Sequence, residues 1–335
     1  MTTPPPADPA AEREPLRLPS LAEVEQAERR LAGLVAPTPL HRLGGETDGV
    51  EVWLKLECLQ PIGSFKLRGA GNALAQAPPA LLGEGVWTAS AGNMGQGVAW
   101  MARRLGVPCR VVVPDHAPRT KLERLADLGA TVTELPFARW WDVMADRLEP
   151  AAKSPWAQGV FVHPVADRAV MAGNGTIALE LVRELGELEA VIVPFGGGGL
   201  ACGIAAVLRA LAPDVRLYAA EVETAAPLAA SLAAGRPQSV EYRASFVDGI
   251  GSGELLPRMW PLLETLFDGS IVVALDEVEA AIRHLVAHNR VVAEGAGAAA
   301  VAAALGQRAG RGPVVAVVSG GNLDASALAR ILADR

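Results

Sequence analysis

Short apolar runs alternate along much of this chain with stretches whose apolar residues recur at helical spacing. Val86–Ala89, Val111–Val113 and Thr131–Leu135 read as strands. Between them, Val98, Met101 and Leu105 share one helical face that Gly106 terminates, and Leu122, Leu125 and Leu128 mark a helix over Arg119–Leu128 that ends at Gly129. The pattern resumes with a strand at Ala190–Pro194, a helix at Leu200–Leu211 and a strand at Arg216–Ala220. Helices over Asp276–Asn289 and Ala296–Leu305 and a closing strand at Val314–Val318 complete it. This order predicts parallel sheets joined by right-handed crossovers. Near the start, Ser20 and Glu23 form a capping box for a helix whose apolar face is Leu21, Val24, Leu31 and Leu34, and Trp53–Leu56 reads as a short strand. The stretch from Pro136 to Val160, with Trp140, Trp141 and Trp156, shows no period and reads as an irregular seam between two α/β lobes. Two lobes make a cleft, the usual place for a site.

At 335 residues, half of them hydrophobic and a fifth charged, the composition is that of a globular chain long enough for two lobes. Ala and Gly are abundant and aromatics scarce, which favours closely packed helices. A net charge of −7 without a basic stripe argues against nucleic acid and anionic membrane as partners. Cys58, Cys109 and Cys202 are widely spaced, with neither a metal-type pairing nor a disulfide framework, and point to reduced thiols in the cytoplasm. The first residues, rich in Pro and charge, lack the apolar run of a signal peptide, and residues 1–19 are expected to form a loose tail.

Lysine is rare here, only Lys55, Lys66, Lys121 and Lys153, while arginine is plentiful. An amine can form a Schiff base and a guanidinium cannot. Lys121 is expected on the solvated face of its helix, Lys153 in a polar loop, and Lys55 in a strand facing either way. Lys66 follows a Pro-Ile-Gly-Ser turn, and its position fits equally a surface lysine or an amine aimed into a cleft. Gly196–Gly199, between a strand and a helix, lets backbone N–H groups converge on a phosphate at the helix N-terminus. Gly196, Gly198 and Ala201 also fit a degenerate dinucleotide fingerprint, with Glu221 where a ribose-binding acid would sit, so a nicotinamide dehydrogenase remains open on this motif alone. Ser90–Gln96 starts a helix where its amides and side chains could hold a carboxylate, or where Ser90 or Asn93 is an ordinary N-cap. Ser319–Asn322 follows the last strand, either as a strand-ending turn or as a site for a ring nitrogen at Ser319.

Taken in order, Gly63–Gly69, Ser90–Asn93, Gly196–Leu200 and Ser319–Asn322 resemble the fold-type II pyridoxal-phosphate enzymes, in the threonine/serine dehydratase and serine racemase branch. Thr38–Leu40, Gly173–Glu180, Val247–Ile250 and Glu294 are similar to that branch as well, so the likeness runs over residues 20–330. The dinucleotide reading has no use for Lys66 or Ser319. The resemblance implies two open parallel-sheet α/β lobes, like the tryptophan synthase β subunit, with the cofactor in the cleft. Residues 20–76 and 162–335 would form the large cofactor-binding domain, and residues 77–161 the small domain carrying the asparagine loop. It implies pyridoxal 5'-phosphate as a Schiff base on Lys66, with Phe65 beside the ring and its phosphate on Gly196, Gly197, Gly198, Gly199 and Leu200. Asn93 would meet the phenolic oxygen, Ser319 the pyridine nitrogen, and Ser90, Ala91, Gly92, Asn93 and Met94 the substrate. The implied activity is β-elimination on a small β-hydroxy amino acid such as L-threonine or L-serine, by a cytoplasmic homodimer. The alternatives are β-replacement with a second nucleophile and a non-catalytic ligand-binding relative.

Several positions depart from the branch. Ala91 stands where serine racemases carry a proton-donating Ser, which implies little racemisation. Met94 replaces the usual His, which implies an altered side-chain pocket. Glu221 and Ala225 match a divalent-cation site, but Pro227 replaces its Asp and cannot ligate, so no metal is expected. Glu294 is expected to line the site rather than cap the helix after it, and Arg139 to lie on the surface rather than receive an acidic substrate group. No regulatory domain is expected after Asn322.

Overall fold

The computed structural model describes residues 15–145 and 154–333. Six strands form the larger sheet, in the order β1 (Leu40–Arg42), β2 (Val52–Lys55), β10 (Val314–Val317), β7 (Ala190–Pro194), β8 (Arg216–Val222) and β9 (Gly269–Val273). Four form the smaller, in the order β5 (Thr131–Leu135), β4 (Cys109–Pro114), β3 (Val86–Ala89) and β6 (Val160–Phe161). The helices are α1 (Leu21–Leu31), α2 (Lys66–Ala75), α3 (Pro79–Glu84), α4 (Asn93–Leu105), α5 (Arg119–Asp127), α6 (Phe137–Met144), α7 (Arg168–Glu184), α8 (Gly199–Leu211), α9 (Pro227–Ala234), α10 (Trp260–Leu263), α11 (Leu275–His284), α12 (Gly295–Leu305) and α13 (Ala325–Ala333). Every strand pairing is parallel except β1 with β2. The chain therefore has the mixed α/β fold of its sequence pattern. β3, β7 and β10 are buried at every position, which is why β7 and β10 read as unbroken apolar runs with covered faces rather than alternating ones; in β3 the one polar side chain, Thr88, donates to the Val162 carbonyl at 2.7 Å.

The arrangement of strand ends positions the site. β2, β10 and β7 are neighbours and point the same way. The segments that leave their carboxyl ends lead to Lys66, to Ser319 and to the glycine turn, so all three emerge side by side. The β2–β10 ladder continues past its strands. Val318 donates to the Lys55 carbonyl at 3.0 Å, Phe65 to that of Ser319 at 3.0 Å, and Gly321 to that of Gly63 at 2.9 Å. The residue before Lys66 is thereby stitched to Ser319. Close helix packing adds to this: a side chain at Gly173 of α7 would overlap the Arg68 carbonyl of α2, so glycine there lets the two helices touch through their backbones.

Some expectations need correction. The stretch from Pro136 is not irregular throughout, because Phe137–Met144 is a helix packed on the smaller sheet through Trp140, Trp141, Val143 and Met144. Lys153 lies outside the described residues. Leu34 falls beyond the end of α1, whose buried residues are Val24, Ala27 and Leu31. The part of the tail that is described runs along the protein, with Leu16 and Leu18 against the core. Ser20 and Glu23 do form the capping box.

Candidate active site

Lys66 is the first residue of α2, and its side chain enters a cavity of about 540 Å³ at the carboxyl ends of both sheets. Phe65, Ser90, Ala91, Gly92, Asn93, Met94, Gly196–Gly199, Leu200, Glu294 and Ser319 all line the same cavity. The Lys66 Nζ donates to the Pro164 carbonyl at 3.0 Å and stands 5.1 Å from the Phe65 ring centroid. Burial pulls its ammonium down to about 8, while the charge of Glu294 acts the other way. A fraction of the amine is therefore unprotonated near neutral pH.

Val165, next to Pro164, supports the glycine turn. A methyl group on Gly197 would stand 2.7 Å from Val165 Cγ1, and one on Gly199 would stand 2.9 Å from the Val165 carbonyl. Gly198, the N-cap of α8, has φ +93°, a conformation that side chains disfavour, and no side chain caps the helix. The turn needs its glycines for close approach, and it leaves first-turn amides facing the cavity, where an anion fits. Asn174 of α7 donates to the Gly199 carbonyl at 3.3 Å and holds the turn from beneath.

Asn93 does not cap α4, whose N-cap is Gly92 without a side-chain bond. Its Nδ2 donates to Glu294 Oε1 at 2.8 Å, and its Oδ1 accepts from Asn322 Nδ2 at 2.8 Å. Glu294 likewise makes no side-chain cap on α12. Burial pushes its carboxyl up to about 6 against the Asn93 hydrogen bond; Asp248 adds to the rise and Lys121 opposes it. Ser319 is buried at the cavity wall. Met94 reaches the cavity from beneath and is otherwise packed in the core of the smaller sheet. Arg139 is exposed and does not line the cavity.

Lys121 is not solvated as expected: its side chain is 28% exposed and paired with Asp248 across the cavity mouth. The outward face of α5 in one lobe is the inward face of the cleft between two. Trp141 Nε1 makes a second link across the mouth, donating to Glu254 at 2.7 Å. Lys55 faces inward, fully buried, and pairs with Glu180 at 2.6 Å. Glu221 is engaged by Leu228 N at 2.9 Å, Ala229 N at 2.7 Å and the Ser270 hydroxyl at 2.6 Å. Its carboxylate thus caps α9, with Pro227 opening that helix, and is committed elsewhere than to a ribose.

Reading the sequence missed a group beneath Lys66. Arg68 donates to both oxygens of Glu57 at 2.8 Å each and to those of Glu180 at 2.6 and 2.9 Å. Burial would pull the guanidinium down, but Glu57 and Glu180 carry it above its ordinary value. Thr38 donates to Glu57 at 2.5 Å, and Thr176 accepts from Arg68 at 3.0 Å. Thr38–Leu40 and Gly173–Glu180 therefore converge on the helix that carries Lys66. His163 was also missed: its Nδ1 accepts from Val165 N and Ala166 N at 3.0 and 2.9 Å, so Nε2 carries the hydrogen toward the Met144 carbonyl at 3.0 Å. A His-Pro pair just before a helix was the available signal.

An aldehyde carrier with a phosphate fits this cavity: an amine of lowered pKa, a glycine cradle that side chains would fill, and polar groups between them. Residues 31–320 match the family described as pyridoxal-phosphate dependent enzyme, and the chain belongs to it. Within it, the chain is 37% identical over 317 residues to the L-threonine ammonia-lyase of Thermotoga maritima, covering 93% of this chain and 78% of that protein. It is 33% identical to the catabolic L-threonine dehydratase of Escherichia coli K12, over 93% of this chain and 95% of that one. The solved structure of maize serine racemase superposes with a TM-score of 0.82 at 29% identity, covering 94% and 97% of the two chains. The fold is therefore that of the fold-type II pyridoxal-phosphate enzymes, and the cofactor is pyridoxal 5'-phosphate.

Proposed function

We propose that this chain is an ammonia-lyase that eliminates the β-hydroxyl of L-threonine or L-serine, giving a 2-oxo acid and ammonia. The observation that carries the reading is that Lys66, the glycine turn and Ser319 line one cavity. The names of the relatives support the reaction class.

In this reading Lys66 holds the cofactor, Gly196–Leu200 its phosphate, Asn93 its phenolic oxygen and Ser319 its ring nitrogen, with Phe65 beside the ring. Bound there, the cofactor supplies the electron sink for charge left at the substrate Cα. The Lys66 amine takes the Cα proton, at a site where burial favours its neutral form. Ser90 and the amides of Ala91–Asn93 hold the substrate carboxylate, which orients the Cα–H bond toward Lys66. Ala91 has no proton to give on the far face, which favours elimination over racemisation. The Lys121–Asp248 and Trp141–Glu254 links join the two sides of the mouth. The division into residues 20–76 plus 162–335 and residues 77–161 belongs to this reading and is supported by the presence of two separate sheets. A cytoplasmic homodimer belongs to the same reading. Its three thiols are unpaired and buried, and burial pushes each up to about 12, far from reactive. Among the described residues no helix is long and apolar enough to cross a membrane.

The test is ammonia release from L-threonine and L-serine by the purified protein without a second nucleophile. Turnover that appears only when sulfide or another nucleophile is added would point to β-replacement instead. Two variants probe the cradle and the ring contact. Gly197→Ala is expected to raise the cofactor dissociation constant about tenfold, equivalent to a steric loss of ~1.4 kcal/mol, read by absorbance titration. Ser319→Asp places a carboxylate where a neutral hydroxyl holds the ring nitrogen, so elimination is expected to fall relative to side reactions. An unchanged partition ratio would count against that role.

A further inference from the structure

Glu294 sits where the mechanism above gives it no task. Its backbone N–H donates to the Gly320 carbonyl at 2.9 Å, and its carboxyl lies against the Gly320 Cα, where any side chain would overlap it. Gly320 is bridged in turn to Ser64, two residues before Lys66. Glu294 and Lys66 line the same cavity, and the charge of Glu294 acts on the Lys66 ammonium. The same carboxyl holds Asn93. With the Asn93 oxygen taken by Asn322, and Asn322 tied to the Ile62 carbonyl at 2.9 Å, the amide has one orientation, nitrogen toward Glu294. The one Asn93 N–H left over can only donate, which suits an anionic phenolic oxygen.

The other charges near this carboxyl are accounted for. Lys121 and Asp248 pair with each other at the mouth, and Cys58 behind it is a thiol that burial keeps neutral. Of the other cations lining the cavity, Arg124 is exposed and Lys121 is paired with Asp248, which leaves Lys66 for this carboxylate.

We propose that Glu294 is a positioning residue that acts through two partners: its charge is the internal counter-ion that sets how readily Lys66 gives up its proton, and its acceptor oxygen fixes Asn93 as a donor. The assignment rests on the cofactor reading, and its test separates the two. Full-length protein freed of cofactor is mixed with pyridoxal 5'-phosphate across pH, and the rate at which the absorbance band near the visible edge appears is recorded. Only the neutral amine attacks, so the wild-type rate falls with decreasing pH below about 8. A nearby carboxylate favours the ammonium, so removing its charge shifts that limb downward. Glu294→Gln, which can still accept from Asn93, is expected to lower the limb by about one unit, a rate gain of about tenfold on the acid side. Glu294→Asp keeps the charge and is expected to leave the limb near that of the wild type. A Glu294→Gln limb that is unmoved or raised overturns the proposal. Should that variant not fold, Asn93→Ala removes the donor that stabilises the carboxylate and is expected to lower the limb in the same direction; an unmoved limb overturns the proposal there too. A wild-type protein that forms no band at all contradicts the cofactor reading instead.

Discussion

Lys66→Ala lowers 2-oxo acid formation from L-threonine by about 10³-fold or more. Removing a positioned general base alone costs about 10²–10⁴-fold. Here the same amine also holds the cofactor in register with the glycine turn, so the two losses fall together. Lys66→Arg separates charge from chemistry. It keeps a cation beside Phe65, but a guanidinium neither condenses with an aldehyde nor deprotonates near neutral pH. Both variants are therefore expected to be equally inactive in an initial-rate assay, and retention of a tenth of the wild-type rate by either would contradict the role. None of the other described lysines can substitute: Lys55 is sealed with Glu180 and Lys121 is paired with Asp248.

The second large effect is on stability. Arg68→Leu leaves Glu57 fully buried without its cation and Glu180 with only Lys55. Breaking one side of such a buried pair costs about 3–5 kcal/mol, because the remaining charge stays desolvated. In a chain of this size that corresponds to a fall in thermal midpoint of about 4–7 °C. The loss falls on the first turn of α2, two residues from Lys66, so activity at low temperature should drop with stability. Arg68→Lys keeps the charge but loses the two-pronged geometry and is expected to lie between wild type and Arg68→Leu. A midpoint within 2–3 °C of wild type for Arg68→Leu would show that the buried charge cluster is not what holds α2.

Much of this was legible in the sequence for a physical reason. Strands of a covered parallel sheet are largely apolar on both faces, so Val86–Ala89 and Ala190–Pro194 stand out as short, mostly apolar runs with the boundaries they have in the fold. The turns at their carboxyl ends have no core to fill, so Ser90–Asn93 and Gly196–Gly199 stand out as polar or glycine-rich. What stayed hidden depended on contacts distant in sequence. The α7 helix is buried nearly all round and carries Gly173 and Gly175, so it shows no apolar stripe of helical period. Nothing in the sequence pairs Glu57, Arg68 and Glu180, or turns Lys55 inward, until the fold brings residues 112 apart together at 2.6 Å. Lys121 was assigned the correct helix face, but only the second lobe shows that this face looks into a cleft. Met94 was read as a pocket residue, and most of its side chain is core.

The central claim is that one amine, that of Lys66, carries the cofactor. Reduction of the holoprotein with borohydride fixes the cofactor to whichever lysine holds it, and mass spectrometry of the digest locates it. The account predicts a single modified peptide containing Lys66. Label on Lys121, Lys55 or Lys153 with Lys66 unmodified would contradict it, as would full cofactor occupancy without any modified lysine.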